Sequence, residues 1–265
     1  MNGCQNPKHQ TMIKYFHRFT YCFILGLIIA GCNTSNKKSV KVDHKPIMLN
    51  SEKANVKLNT LEDSLEIFTI TKASRIDFVK AKKIYSDKLV EDTLNIRKKN
   101  GRIELPLFRS NHPNSVFFTD TLVANSEEDY REYHYLGQYP NLNVYLVSGS
   151  FWEHYECYLV NKKTGEISVI WNEPIISPSS EYLANLSLPY GLEGVPNGIQ
   201  IWKYNQNEKK LTNWLELDQQ IWAPEDLVWE TEKNLLLKVF SVDQIWKSNG
   251  ELKNNDYYYL RLTLN

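Results

Sequence analysis

Beyond about residue 60, apolar residues recur at every second position in short runs. A period of two predicts strands with one buried face. In the first half the candidate strands are 65–71, 76–79, 93–97, 102–108 and 116–119. The second half gives 133–137, 143–147, 154–160, 166–171, 174–177, 181–187, 198–204, 211–217, 226–230, 235–242 and 257–264. Lys98-Lys-Asn-Gly101 lies between two alternating runs, and Asn-Gly in that setting predicts a tight hairpin. Ser126, followed by acids, reads either as the N-cap of a short helix or as a solvated loop. Alternation also assigns faces. Tyr258, Leu260, Leu262 and Leu264 share one, Ile167, Val169 and Trp171 another, and Tyr155, Cys157 and Leu159 a third. The last makes Cys157 a core residue rather than a reactive thiol.

The strands group into a repeat. Tyr158-Leu-Val-Asn-Lys-Lys-Thr-Gly-Glu-Ile-Ser-Val169 and Ile201-Trp-Lys-Tyr-Asn-Gln-Asn-Glu-Lys-Lys-Leu-Thr212 both read as strand, polar turn, strand. Each precedes a Pro-containing segment and a further strand, at a spacing of about 43 to 51 residues, close to a four-stranded propeller blade. Ile176-Ser-Pro-Ser-Ser-Glu-Tyr-Leu-Ala184 resembles the Ser-Pro-Asp-Gly-Lys-Tyr-Leu-Ala stretch of the WD40-like blades of the TolB class, with Ser179-Ser180 in place of Asp-Gly. The expected fold class is all-β: a β-propeller-like array, complete or partial, of four-stranded antiparallel units. A β-sandwich, which short strands with regular turns also fit, is the alternative.

The region before residue 60 has a different character. Lys8, Lys14, His17 and Arg18 precede an apolar run of about a dozen residues, shorter than the roughly 20 that span a bilayer. The run ends in Ile29-Ala30-Gly31-Cys32, which resembles the bacterial lipoprotein box. The resemblance implies a diacylglyceryl thioether on Cys32, cleavage before it, and usually acylation of the new amine. Two or more acyl chains give stable anchoring where one does not. Residues 1–31 are then a signal peptide, 32–60 the lipidated cysteine with a flexible tether, and 61–265 a single β-rich domain. Met12 followed by Lys14 and Arg18 is an alternative start to Met1. The tether carries six lysines, from Lys37 to Lys57, against Asp43 and Glu52, and a flexible chain of this length reaches about 30 Å. With Asn33 and no acid just after the cysteine, the expected location is the outer membrane facing the periplasm.

Composition narrows the classes. With 31 basic and 31 acidic residues the chain has no electrostatic footprint for nucleic acid. Apolar residues at 42%, with 12% aromatic, suit a globular domain rather than a disordered one. Of four cysteines, Cys4 and Cys22 leave with the signal and Cys32 takes lipid. Cys157 therefore has no disulfide partner within the mature chain.

Candidate chemistry is sparse. His112, His134 and His154 form no His-x-x-x-His pair; His154 and Glu156 share a strand face but lack a third metal ligand nearby in sequence. Ser35 and Lys38 match Ser-x-x-Lys inside the tether, where no pocket forms. Gly191-Leu-Glu-Gly194 and Gly198 make neither a phosphate loop nor a dinucleotide fingerprint. Glu225 and Asp226 are adjacent and point to opposite faces of a strand, which disfavours a glycosidase pair. No cofactor motif stands out. All seven tryptophans fall between Trp152 and Trp246, and Tyr257-Tyr-Tyr259 lie together near the end. Trp152 and Trp222, beside loops, are the first candidates for an aromatic platform.

These features favour a lipid-anchored envelope protein whose β domain binds a protein or glycan without catalysis. The alternatives are a hydrolase acting on envelope glycans or peptides, and a structural or assembly lipoprotein. Metabolic labelling with a palmitate analogue is expected to mark the protein, and Cys32→Ser to abolish the label. An unlabelled wild-type chain would remove the anchor from this picture.

Overall fold

The structure is a computed structural model and describes residues 67–108, 114–122, 129–152, 154–189, 194–248 and 251–265. All of them belong to one compact unit, residues 51–265. Strands β4 (Arg131–Tyr139), β5 (Val144–Phe151), β6 (Tyr155–Asn161) and β7 (Ile167–Ile170) form an antiparallel meander. A second meander follows, with β8 (Ile175–Ile176), β9 (Tyr182–Ser187), β10 (Gly198–Asn205) and β11 (Lys210–Asp218). In the third, β12 (Trp222–Trp229), β13 (Asn234–Ser241) and β14 (Tyr257–Leu264) supply only three strands. Its fourth is β1 (Phe68–Ala73), which pairs with β14 from Phe68 opposite Leu264 to Ala73 opposite Tyr259. A two-stranded sheet of β2 (Arg102–Leu107) and β3 (Asn114–Thr119) completes the set. The fold is all-β: among the described residues it has three four-stranded antiparallel sheets and one two-stranded sheet.

Consecutive sheets share cores. One core joins β2–β3 to the first meander through Ile103, Leu105, Phe118, Tyr145 and Val147. The next joins the first and second meanders through Val144, Leu146, Cys157, Leu159, Ile170 and Leu183. A third joins the second and third through Tyr182, Ile199, Leu217, Trp229, Leu237 and Leu262. Alternation thus sends Val144 and Leu146 one way and Tyr145 and Val147 the other. Central strands such as β5 are accordingly buried on both faces. The two sequence segments that read as strand, turn, strand are β6–β7 and β10–β11, the third and fourth strands of successive sheets.

Several sequence expectations change. Residues 76–79 are not a strand but part of helix α1 (Arg75–Ile84). Ser74 and Asp77 close a capping box at its start, and Phe78 and Ala81, three apart, bury against Val228 and Leu236. Residues 93–97 turn instead of extending. Asp92 is held there by the Tyr135 hydroxyl at 2.6 Å and by Gln138, which also accepts from the buried Lys162 ammonium. The Asn-Gly turn does form, with Asn100 and Gly101 at φ 50° and 72°, but β2 then pairs with β3. On β7 the expected inner residues Ile167 and Val169 are 44% and 49% exposed, while Ile170 is buried. As a short edge strand, β7 buries only the face turned to the second meander. A short helix α2 (Val242–Lys247) follows β13, and β12 begins four residues before the expected 226.

The Ser-Pro segment is the β8–β9 turn. Ser180 adopts φ 69°, the left-handed conformation that Gly tolerates best at such a position. Two side chains from elsewhere clamp the turn. Lys88 Nζ donates to the Ser177 and Pro178 carbonyls at 2.8 and 2.5 Å and to Ser180 Oγ at 3.1 Å. Glu232 accepts from Ser177 Oγ and from the Ser179 N–H, both at 2.6 Å. Ser177 is fully buried, so truncating Glu232 leaves its hydroxyl short of a partner. Glu232→Ala is expected to lower stability by about 1–3 kcal/mol in urea unfolding; an unchanged midpoint would show the clamp to be idle.

Candidate binding surface

Aromatic residues converge where the first meander faces β2–β3. Phe118 lies 5.2 Å from Tyr133 and 5.1 Å from Tyr158, ring centre to ring centre. Tyr133 in turn meets Tyr158 at 5.9 Å and the edge of Phe151 at 6.0 Å. Phe151 then stacks on His154 at 4.3 Å with the planes 1° apart. Near-parallel and tilted geometries of this kind add about 0.5–1.5 kcal/mol per pair beyond burial.

Strand alternation and one glycine make the cluster possible. Phe151, Gly149 and Val147 follow one another on one face of β5, with Glu156 and Tyr158 opposite on β6. A Cβ on Gly149 would stand 2.9 Å from the Phe151 ring and 3.0 Å from the Tyr158 ring. The rings therefore lie over bare backbone that only glycine provides. The β5–β6 turn is tight, the Phe151 N–H donating to the His154 carbonyl at 2.9 Å, and it carries Trp152 at its tip, 41% exposed. The Tyr158 hydroxyl donates to the Glu156 carboxylate. Burial, then that carboxylate, push the Tyr158 hydroxyl well above its usual range, so it stays protonated and remains a donor. The cluster is mostly core, with Phe118 and Tyr158 buried, and it ends in a rim where Trp152 and His154 are exposed and Phe151 and Glu156 half-buried. Such a rim can stack on the apolar face of a sugar or peptide ring and accept its hydroxyl or amide protons.

On the opposite face of the same sheet, Cys157 is buried with its Sγ 3.5 Å from the Tyr155 hydroxyl. Burial raises the thiol from 9.0 to about 12, with the Tyr155 hydrogen bond pulling the other way. The thiol is therefore inert at neutral pH.

The remaining sequence candidates scatter. Trp222 is not a platform: it is 6% exposed in the core between the second and third meanders. Its strand position turns the ring inward between the sheets. His134 lies 3.3 Å from Glu132, away from the ring cluster. Glu225 falls at a β-bulge in β12, and Asp226 pairs with Lys82 at 2.7 Å. Tyr257 and Tyr259 do not stack together; Tyr257 meets Phe240 and Tyr259 meets Phe78. Cys32, Ser35, Lys38, His112, Ser126 and residues 191–193 lie outside the described residues. Among the described residues no group of three or more His, Cys, Asp or Glu could hold a metal ion. A cavity of about 210 Å³ lies beside Lys88, Tyr139, Leu142 and Ile176, but Lys88 spends its donors on the β8–β9 turn. Sequence reasoning named Trp152 for an aromatic platform and His154 with Glu156 only as an incomplete metal pair, and it missed Phe118, Tyr133, Phe151 and Tyr158. The available signal was Gly149, a bare position in an otherwise apolar alternating run. Set against known families, curated proteins and solved structures, the chain matches none of them.

The thiol also makes a pH prediction. Its proton is held more tightly in the folded than in the unfolded chain, so its stabilising effect is complete below about pH 9. Stability should fall as pH rises from about 9 towards 12, and Cys157→Ala should flatten part of that slope in equilibrium unfolding. An unaltered slope would place the titration elsewhere.

Proposed function

We propose that this is an envelope lipoprotein, held by lipid at Cys32, whose β domain binds glycan through the aromatic rim at the β5–β6 turn. The observation that carries the reading is the continuous ring cluster from Phe118 to His154, which reaches the surface at the β5–β6 turn where His154 and Trp152 are exposed. A flat apolar ring next to a charge-bearing acceptor suits a pyranose, which has apolar C–H faces and equatorial hydroxyls. We read this rim as a binding surface, because its stacked rings and the Glu156 carboxylate offer contact area and a hydrogen-bond acceptor.

The anchor reading rests on the basic, apolar and small-residue pattern ending at Cys32. The tether would carry the domain clear of the head groups, on the periplasmic side of the outer membrane. Propeller-like blades are the proposed architecture, supported by three successive four-stranded meanders and by β1 completing the last of them.

Affinity capture on immobilised envelope polysaccharide and peptidoglycan fragments tests the function. The wild-type domain is expected to be retained, with Trp152→Ala and His154→Ala each weakening retention by about tenfold, the equivalent of one lost ring contact of 1–2 kcal/mol. Trp222→Phe serves as the comparison and should leave retention unchanged. Retention of no glycan, or equal retention of every variant, would overturn the proposal.

A further inference from the structure

Helix α1 packs on the outer face of the last sheet through Phe78 and Ala81. At 3.6 residues per turn, Arg75, Ile76, Val79, Lys80, Lys83 and Ile84 fall on the opposite arc of about 180°. All six are exposed; Ile76 and Ile84 stand at 72% and 82%, and Val79 at 41%. Three aliphatic side chains and three cations are interleaved there, and no acid is among them. The helix's one acid, Asp77, is turned aside: it accepts from Ser74 and lies 3.7 Å from Arg261. Lys82, at the other flank, pairs with Asp226 at 2.7 Å. Core packing and local ion pairing therefore account for every α1 side chain except these six.

From this arc we infer that α1 is a second membrane contact, lying flat on an anionic phospholipid surface. Aliphatic side chains inserted to the depth of the acyl boundary, with ammonium and guanidinium groups level with the phosphates, match an interfacial helix. Charge complementarity extends beyond the helix. Lys72 is exposed on the strand leading into α1, and residues 33–60 carry six lysines against two acids. An acidic protein surface would satisfy the cations but has no general reason to accept three separated aliphatic side chains. The inference does not depend on lipid at Cys32, nor on the aromatic rim, which belongs to a different sheet.

Residues 51–265 contain every described strand and all four cores, so they carry what the domain needs to fold without the anchor. This fragment can be sedimented with vesicles of phosphatidylcholine alone or mixed equally with phosphatidylglycerol. Sedimentation with the anionic vesicles only is expected, and it should weaken as salt is raised. Lys80→Glu with Lys83→Glu should lower the apparent affinity at least tenfold. Ile76→Ser with Ile84→Ser should lower it severalfold, and Lys210→Glu on β11 should have no effect. All these positions are exposed, and an unchanged melting temperature checks that each variant folds. Three results would overturn the inference: equal sedimentation with both vesicles, indifference to the α1 variants, or capture by polyglutamate beads without vesicle binding. The last would reassign the arc to an acidic protein partner.

Discussion

Pairing of β1 with β14 is the contact on which the rest of the domain hangs. Six residues near its start lie antiparallel to six at its end, and they turn a three-stranded sheet into a four-stranded one. Phe68 and Ile70 pack against the core between the second and third meanders, so the closure buries apolar surface as well as satisfying backbone groups. Ser74 follows immediately and caps α1, which is thereby set on the outer face of the same sheet. With Cys157 buried and unpaired, no described disulfide shares this role.

Between the two ends, each sheet is stabilised by its neighbours. Every meander contributes alternate residues of its strands to two cores, much as repeats in a solenoid depend on nearest neighbours. Side chains reinforce the weakest point. β8 has only two residues, and the Tyr139 hydroxyl, the Trp229 indole and the Tyr85 hydroxyl bond the backbone at Pro174, Ile175 and Ile176. Lys88 and Glu232 do the same for the turn that follows. A strand too short to hold itself is thus fixed by residues drawn from the three elements around it.

The two proposed contacts sit at opposite ends of this succession. The aromatic rim lies between β2–β3 and the first meander, and the α1 arc on the outer face of the third. On the proposed reading, a domain tethered and laid against a lipid surface at one end would present its rings at the other. Gly149 and Ser74 are small residues with large consequences here. One clears the backbone for stacked rings, and the other starts the helix that carries the cations.

Much of the fold was legible because strand alternation is a local property. The presence of β4 to β11, β13 and β14, with ends within about two residues except for β5, which runs four residues further, the burial of Cys157 and the equivalence of β6–β7 with β10–β11 all follow from a period of two. The sequence misled where helix capping or long-range contacts overrode the alternation. Ile76 to Val79 look like a strand, yet a capping box and one apolar neighbour three residues on make a helix. Ile167 and Val169 look buried, yet their face of an edge strand has no sheet to cover it. Residues 93–97 are bent by Asp92, whose partners Tyr135 and Gln138 are more than forty positions away in the chain. The same holds for the rim. Residue types alone singled out Trp152, and with it Trp222, which is buried; which rings stand together depends on how sheets stack. Periodicity determines which side of a strand is apolar; only tertiary packing decides what, if anything, that side meets.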